Sequence, residues 1–287
     1  AVKRDPMPPR VRVVLKHMLM VLVVTVSTVA ILEAALAVFD PTGVIYMNEI
    51  SALFFRDTAR PDPRGYGVAP GEHHGRYWSF TIQPDGTRLT PDTSPGAART
   101  AVFIGDSLTF GYGVNDRDVW VNLLARDFPG WHFINPSMPA FNAENYARTF
   151  DLYPDADVIF VVTIPNDLTA QAYIAPFEPP PIYAYIDLYL RTLQGRLAPP
   201  PLDAAELRVV AEKWEASLSR MAADPRVHFI TFPGAYAEQV ARLVPNVSTV
   251  GYFTSTVSKI DPHASASGNR QLYEAMLPVV REALASD

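Results

Sequence analysis

The sequence predicts an α/β protein, a parallel sheet covered by helices on both faces, preceded by one N-terminal transmembrane helix. Three observations lead there. From residue 100 onward, short apolar runs alternate with stretches of helical periodicity, the pattern of strands buried on both faces. Residues 18–39 form one uninterrupted apolar stretch. The composition, 48% apolar and 19% charged over 287 residues, is that of a folded chain large enough for a substantial core.

The first element is the span. Met18 to Phe39 reads MLMVLVVTVSTVAILEAALAVF, 22 residues with Glu33 as the only charge. At a rise of ~1.5 Å per residue it covers roughly 33 Å, enough to cross the hydrocarbon layer. Lys3, Arg4, Arg10, Arg12 and Lys16 precede it against Asp5 alone. Residues 1–17 are therefore expected to be a cytoplasmic basic segment, with everything after Asp40 periplasmic or otherwise extracytoplasmic in a single-pass inner-membrane protein. A cleaved signal peptide shows the same order of basic, apolar and Ala35-Leu36-Ala37 segments. The apolar run exceeds a usual signal core, which favours a retained anchor. Thr25, Thr28 and Glu33 have two readings: they face a partner helix in the membrane, or Glu33 simply reaches the headgroups.

Residues 40–99 are rich in turn formers, among them Pro61, Pro63, Gly65, Gly67, Pro70 and Gly71. A strand-like stretch from Tyr77 to Ile82 and the turn Pro84-Asp85-Gly86 follow. This segment reads as a stalk carrying a small hairpin. Beyond it, strands are expected at 101–104, 132–135, 158–163, 227–232 and 249–253. Helices are expected near 119–126, 143–152, 204–222, 236–243 and 269–285. One segment breaks the alternation: residues 176–201 hold a helical stripe of Ile182, Ile186, Tyr189, Leu190, Leu193 and Leu197 between two proline clusters. A packed helix between rigid linkers is the plainest reading; a lid, a membrane-surface helix and a docking helix are the others.

Composition also excludes. With no cysteine, the chain has no disulfide, thiolate metal site, iron–sulfur cluster or cysteine nucleophile. The net charge of −6 includes +4 on residues 1–17, leaving −10 on the rest, so nucleic acid is not an expected partner. No glycine-rich dinucleotide or phosphate loop occurs, and no cofactor is expected. His73 and His74 are adjacent in an extended stretch and point apart, so no metal is expected there. His132 and His228 read as strand residues, and Asn246-Val247-Ser248 has the form of a glycosylation sequon.

Chemistry concentrates in three short segments. Val102-Phe103-Ile104 runs into Gly105-Asp106-Ser107, which exposes Ser107 at the carboxyl end of a strand, where a nucleophile belongs. Alone, Gly-Asp-Ser is more often a turn or a helix cap. Asp261-Pro262-His263 offers a carboxylate and an imidazole on one loop. A serine hydroxyl needs such a base, and the base needs a carboxylate to fix its tautomer. Alone, Asp-x-His is more often a loop hydrogen bond. Asn166, after the strand that ends near Thr163, could donate its amide to a developing oxyanion, although Asn-Asp in that place also reads as a turn.

Jointly, these residues in this order resemble the SGNH (GDSL-type) hydrolase superfamily over roughly residues 98–285. The resemblance implies a three-layer α/β/α sandwich with a parallel sheet of about five strands, and metal-independent cleavage or transfer of acyl esters. It makes Ser107 the nucleophile, His263 the base, Asp261 the acid, and the Ser107 N–H, the Ser137 N–H and the Asn166 side chain oxyanion donors. Ser137, in Asn135-Pro136-Ser137-Met138, takes the place of the family's oxyanion glycine, and Ile164 stands where a glycine is common. The sequence of span, stalk and hydrolase domain at 100–287 is similar to anchored members associated with envelope polysaccharides.

The expectation is a membrane-anchored serine esterase or O-acyltransferase acting on O-acetyl groups of an extracytoplasmic glycan. Its expected partners are the bilayer through residues 18–39, a glycan or acyl-ester substrate, and other membrane proteins. The alternative, motivated by Ser137, Ile164, Glu33 and the 176–201 insertion, is an SGNH-fold assembly subunit of a membrane complex with little or no turnover.

Overall fold

The computed structural model of the chain describes residues 8–168, 180–193 and 204–286. In chain order its elements are α1 (Pro9–Phe39), α2 (Val44–Ser51), the hairpin strands β1 (Ala59–Asp62) and β2 (Gly65–Val68), and the second pair β3 (Gly71–His74) and β4 (Ser79–Ile82). Then come β5 (Arg99–Ile104), α3 (Ser107–Phe110), α4 (Trp120–Ala125), β6 (Trp131–Ile134), α5 (Ala143–Phe150) and β7 (Val158–Val162). The chain finishes with α6 (Pro181–Leu193), α7 (Ala204–Ala222), β8 (Val227–Thr231), α8 (Ala235–Leu243), β9 (Val247–Thr249) and α9 (Ala266–Ser286).

Strands β5 to β9 form one five-stranded sheet in the order β6-β5-β7-β8-β9, every pair parallel. Alternation along each strand creates the two faces. Val102, Ile104, Ile159, Val161 and Phe229 turn to one side and pack with Tyr146, Trp214, Leu218 and Val240 of α5, α7 and α8. Ala101, Phe103, Val158, Phe160 and Ile230 turn to the other and pack with Trp120, Leu124, Leu272 and Met276 of α4 and α9. The architecture is thus a three-layer α/β/α sandwich. The last strand runs from Val247 to Thr249 beside Phe229 to Thr231 of β8, so of the expected 249–253 strand only Thr249 lies in it.

The stalk expectation is corrected. Ile50, Phe54, Val68, Trp78, Phe80 and Ile82 belong to the same buried cluster as one face of the sheet. Two arginines fasten the segment down. Arg64, 2% exposed, is paired with Asp62 and donates to the carbonyls of Pro136 and Gly86 at 3.0 Å each. Arg88, fully buried, donates to the carbonyls of Phe110, Gly111 and Val114 at 2.6 Å each and pairs with Asp116 at 3.0 Å. The turn at 84–86 closes a small hairpin as expected, the Gln83 N–H donating to the Thr87 carbonyl and the Leu89 N–H to the Thr81 carbonyl at 2.8 Å each, and β4 also pairs backward with β3.

No residue of α1 is buried, and α1 is long and apolar enough to cross a bilayer. It starts at Pro9, so Arg10, Arg12 and Lys16 lie on its first turns; residues 1–7, with Lys3, Arg4 and Asp5, lie outside the described residues. Thr25 and Thr28 are exposed. Of the 176–201 insertion, residues 180–193 are described, Pro180 and Pro181 leading into α6, whereas residues 176–179 and 194–201, with Leu197, lie outside the described residues.

Candidate active site

Ser107 opens α3, with Gly105 and Asp106 between it and the end of β5. Position 105 is glycine because there is no room for more: a Cβ there would overlap the Thr109 side chain, with the Val162 carbonyl 3.3 Å away. Asp106 caps the short helix by accepting the Leu108 N–H at 2.9 Å. Ser107 itself is 6% exposed. Its Oγ lies 2.8 Å from His263 Nε2, although 156 residues separate the two.

His263 Nδ1 lies 2.5 Å from Asp261 Oδ1, and the His263 N–H donates to the same oxygen at 3.0 Å. Burial pushes the Asp261 carboxyl up, but the hydrogen bonds and charge of His263 outweigh it, and the group is held below the usual carboxylate range. An ionised carboxylate only accepts, so Nδ1 donates the ring hydrogen to Asp261, and Nε2 is the ring nitrogen that faces Ser107. The imidazole ring packs against Tyr112, centroid to centroid 4.8 Å, and the His263 side chain keeps 29% of its surface exposed.

Asn166 lies just past β7. Its Nδ2 donates to Asp106 Oδ2 at 3.0 Å, the oxygen that the Ser107 hydroxyl approaches at 3.2 Å. Strands β5 and β7 are neighbours where the strand order reverses, which is where ligand crevices of open α/β sheets form. Ser107, Asp261, His263 and Asn166 therefore meet at one end of the sheet. Ser137 does not join them as expected. It is fully buried, its N–H is directed to Asn135 Oδ1 at 3.3 Å, and its hydroxyl donates to the Phe103 carbonyl at 2.9 Å. Its small polar side chain is used to tie the β6 loop to β5. In the same loop Ala140 takes φ 61, a left-handed conformation uncommon outside glycine.

Three contributors escaped the sequence reading. Asp106 holds both Asn166 and the turn of α3, and burial raises its carboxyl above the usual range. Tyr112 packs on the imidazole. Ser258 Oγ accepts the N–H groups of Ile260 and Asp261 at 3.3 and 3.1 Å, shaping the loop that carries the acid. The turn after α1 presses on that serine: Gly43 has φ 85, and a Cβ there would overlap Ser258 Cβ. Gly43→Ala is expected to destabilise the fold by about 1–3 kcal/mol and to lower turnover by displacing Asp261. Thermal melts and ester turnover matching the parent chain would refute this coupling.

Asp167, beside Asn166, is buried and receives the Tyr146 hydroxyl at 2.6 Å, the Tyr236 hydroxyl at 2.9 Å and the Ile164 N–H at 3.0 Å. Burial first, then the nearby Asp106, pushes its carboxyl well above the usual range. An acid whose folded-state pKa is raised binds more protons folded than unfolded, so stability falls as pH climbs from its unfolded pKa through its folded one. The urea midpoint should decline over that interval, less steeply in Asp167→Asn. Identical slopes would show that Asp167 does not titrate in this way.

No protein-family model and no curated protein matches the chain. Among solved structures it is similar to TesA, at 14% identity over 64% of this chain and 99% of that one, with a TM-score of 0.41. It is similar to a carbohydrate acetylesterase family member from Sinorhizobium meliloti, at 18% identity over 65% and 99% of the chains, TM-score 0.38. A lipolytic protein of the G-D-S-L family from Veillonella parvula matches at 15% identity over 64% and 99%, TM-score 0.36.

Proposed function

We propose that the chain is a serine ester hydrolase or O-acyltransferase of the SGNH type, held in the cytoplasmic membrane by residues 18–39, with residues 1–17 cytoplasmic and the 100–287 domain outside. Its proposed substrates are O-acyl groups, chiefly O-acetyl, on an extracytoplasmic glycan. The observation that carries the reading is the relay from Ser107 Oγ through His263 to Asp261, with contacts of 2.8 and 2.5 Å.

In this mechanism Ser107 Oγ bonds to the acyl carbon while its proton passes to His263 Nε2. Asp261 stabilises the imidazolium across Nδ1. The carbonyl oxygen becomes negative and takes donation from the Asn166 amide and the Ser107 N–H. The carbon–oxygen bond to the departing alcohol breaks, and His263 returns the proton to it. A water molecule or a sugar hydroxyl then attacks the acyl-serine, His263 again accepting the proton, and Ser107 is regenerated. Water gives hydrolysis and a sugar gives transfer.

A serine-directed fluorophosphonate should label the purified chain in detergent and should fail to label Ser107→Ala. Equal labelling of both, or of neither, would refute the nucleophile. One observation favours the alternative of an assembly subunit: the Ser137 N–H is engaged within its own loop, which removes one expected oxyanion donor. That alternative gains if no Ser107-dependent adduct forms and other membrane chains copurify through the span.

A further inference from the structure

Helix α6 is clasped to the outer end of α1 by two carboxylates. Glu33 lies near the end of α1, and Asp40, seven residues on, is the residue that caps its C-terminus. Glu33 Oε2 accepts the Ile182 N–H at 2.8 Å, capping a helix whose first residue, Pro181, has no N–H to offer. Asp40 Oδ1 accepts the Tyr185 hydroxyl at 2.8 Å, and that hydroxyl in turn receives the Thr42 N–H at 3.3 Å. Along α1 only Glu33, Ala35, Leu36 and Ala37 lose exposure, and this is where α6 lies. The lone charge in the apolar span is therefore the fastening point of a second helix.

On α6, Ala184 is buried and Ile182, Tyr185 and Leu188 are half-buried toward α1 and α2. The remaining apolar residues are left over. Tyr183, Ile186, Tyr189, Leu190 and Leu193 are 47–66% exposed. At about 100° per residue they fall within one arc of roughly 120°. The Asp187–Arg191 ion pair, at 2.7 Å, borders the arc on one side.

We infer that α6 is an interfacial helix, its Tyr183, Ile186, Tyr189, Leu190 and Leu193 face immersed in the headgroup–acyl boundary of the outer leaflet. The inference rests on the reading of α1 as a membrane span. The occupant follows from continuity. If α1 crosses the bilayer, Glu33 and Asp40 lie at its outer boundary, and a helix bonded to both lies at the same depth. The exposed face of α6 then stands at the level of Ile31, Val38 and Phe39 of α1, apolar residues that are 68–78% exposed. Tyrosines fit that boundary, with the ring in the acyl region and the hydroxyl among headgroups. Lipid contact there would hold the outer domain at a set height above the membrane.

The chain has no cysteine, so a single introduced one reports unambiguously. Ile186→Cys, Leu190→Cys and Leu193→Cys, each spin-labelled in the full chain, would be placed in nanodiscs of dioleoyl phosphatidylcholine and phosphatidylglycerol. Val26→Cys serves as a mid-span reference and Arg242→Cys as an aqueous one. The expected result is a ratio of oxygen collision to nickel-chelate collision several-fold higher at the three α6 sites than at Arg242→Cys. Aqueous values on α6 with a lipid value at Val26→Cys overturn the inference and leave the anchor standing. Nickel access at Val26→Cys overturns the anchor and the inference together. Spin–spin broadening that disappears on dilution with unlabelled chain would assign the face to a second copy and also overturn it. In the Leu190→Cys background, Glu33→Leu should increase label mobility while Glu33→Gln, which keeps an acceptor oxygen, should not; equal mobility in both would overturn the role of Glu33 as the clasp.

Discussion

Ser107→Ala is expected to lower kcat for ester cleavage on the order of 10⁶-fold, His263→Ala by a similar factor, and the double variant by no more than either alone. The reason is that the two groups act as one device. In the proposed mechanism the hydroxyl proton passes across the 2.8 Å contact, and removing either partner would leave no activated oxygen. Asp261→Ala should lose less, on the order of 10⁴-fold, since an unoriented imidazole still accepts a proton. Steady-state hydrolysis of an aryl acetate by the purified chain checks all four. Additive losses in the double variant would show that Ser107 and His263 do not cooperate, and an unaffected Ser107→Ala would end the enzymatic reading.

Arg88→Ala is expected to destabilise the chain by about 3–5 kcal/mol, read as a lower urea midpoint. Its guanidinium is buried among the carbonyls of Phe110, Gly111 and Val114 and the Asp116 carboxylate, and it stacks 4.7 Å over the Phe110 ring. Removing it takes the donor from three buried carbonyls and the ion-pair partner from Asp116. Arg88→Lys should rescue only part of the loss, because an ammonium cannot reproduce a planar fork that reaches acceptors on several sides. The carbonyls it grips close the helix that begins at Ser107, so the surviving folded fraction should also turn over more slowly. A midpoint shift below about 1 kcal/mol would mean that residues 79–90 are fastened by apolar packing alone.

The five-stranded sheet was legible because each strand is a short apolar run whose burial requires cover on both faces. Val158-Ile159-Phe160-Val161-Val162 is buried at every position, which no half-exposed strand would be. Ser107, Asp261, His263 and Asn166 were legible as a set only through their order along the chain, since each motif alone also reads as a turn or cap. Residues 40–99 were misread because prolines and glycines interrupt their apolar positions. Ile50 and Phe54 are one helical turn apart and Trp78 and Phe80 have the spacing of one strand face, but nothing in those short patterns says that they pack against the sheet. Arg64 and Arg88 carry no local signal of burial, and carbonyls converging on them from distant loops accompany their place inside.

By itself, the sequence determined what is local: the apolar span, the strand and helix segments, and the kinds of side chain available for acyl chemistry. Tertiary structure alone decided which of these meet. The Ser107–His263 contact joins residues 156 apart, and the Glu33–Ile182 bond joins residues 149 apart. It also decided that the Ser137 N–H turns inward to Asn135. The physical reason is range: periodicity records which face of its own element a residue occupies, whereas a hydrogen bond between distant loops depends on how whole layers pack, and no short window of sequence contains that information.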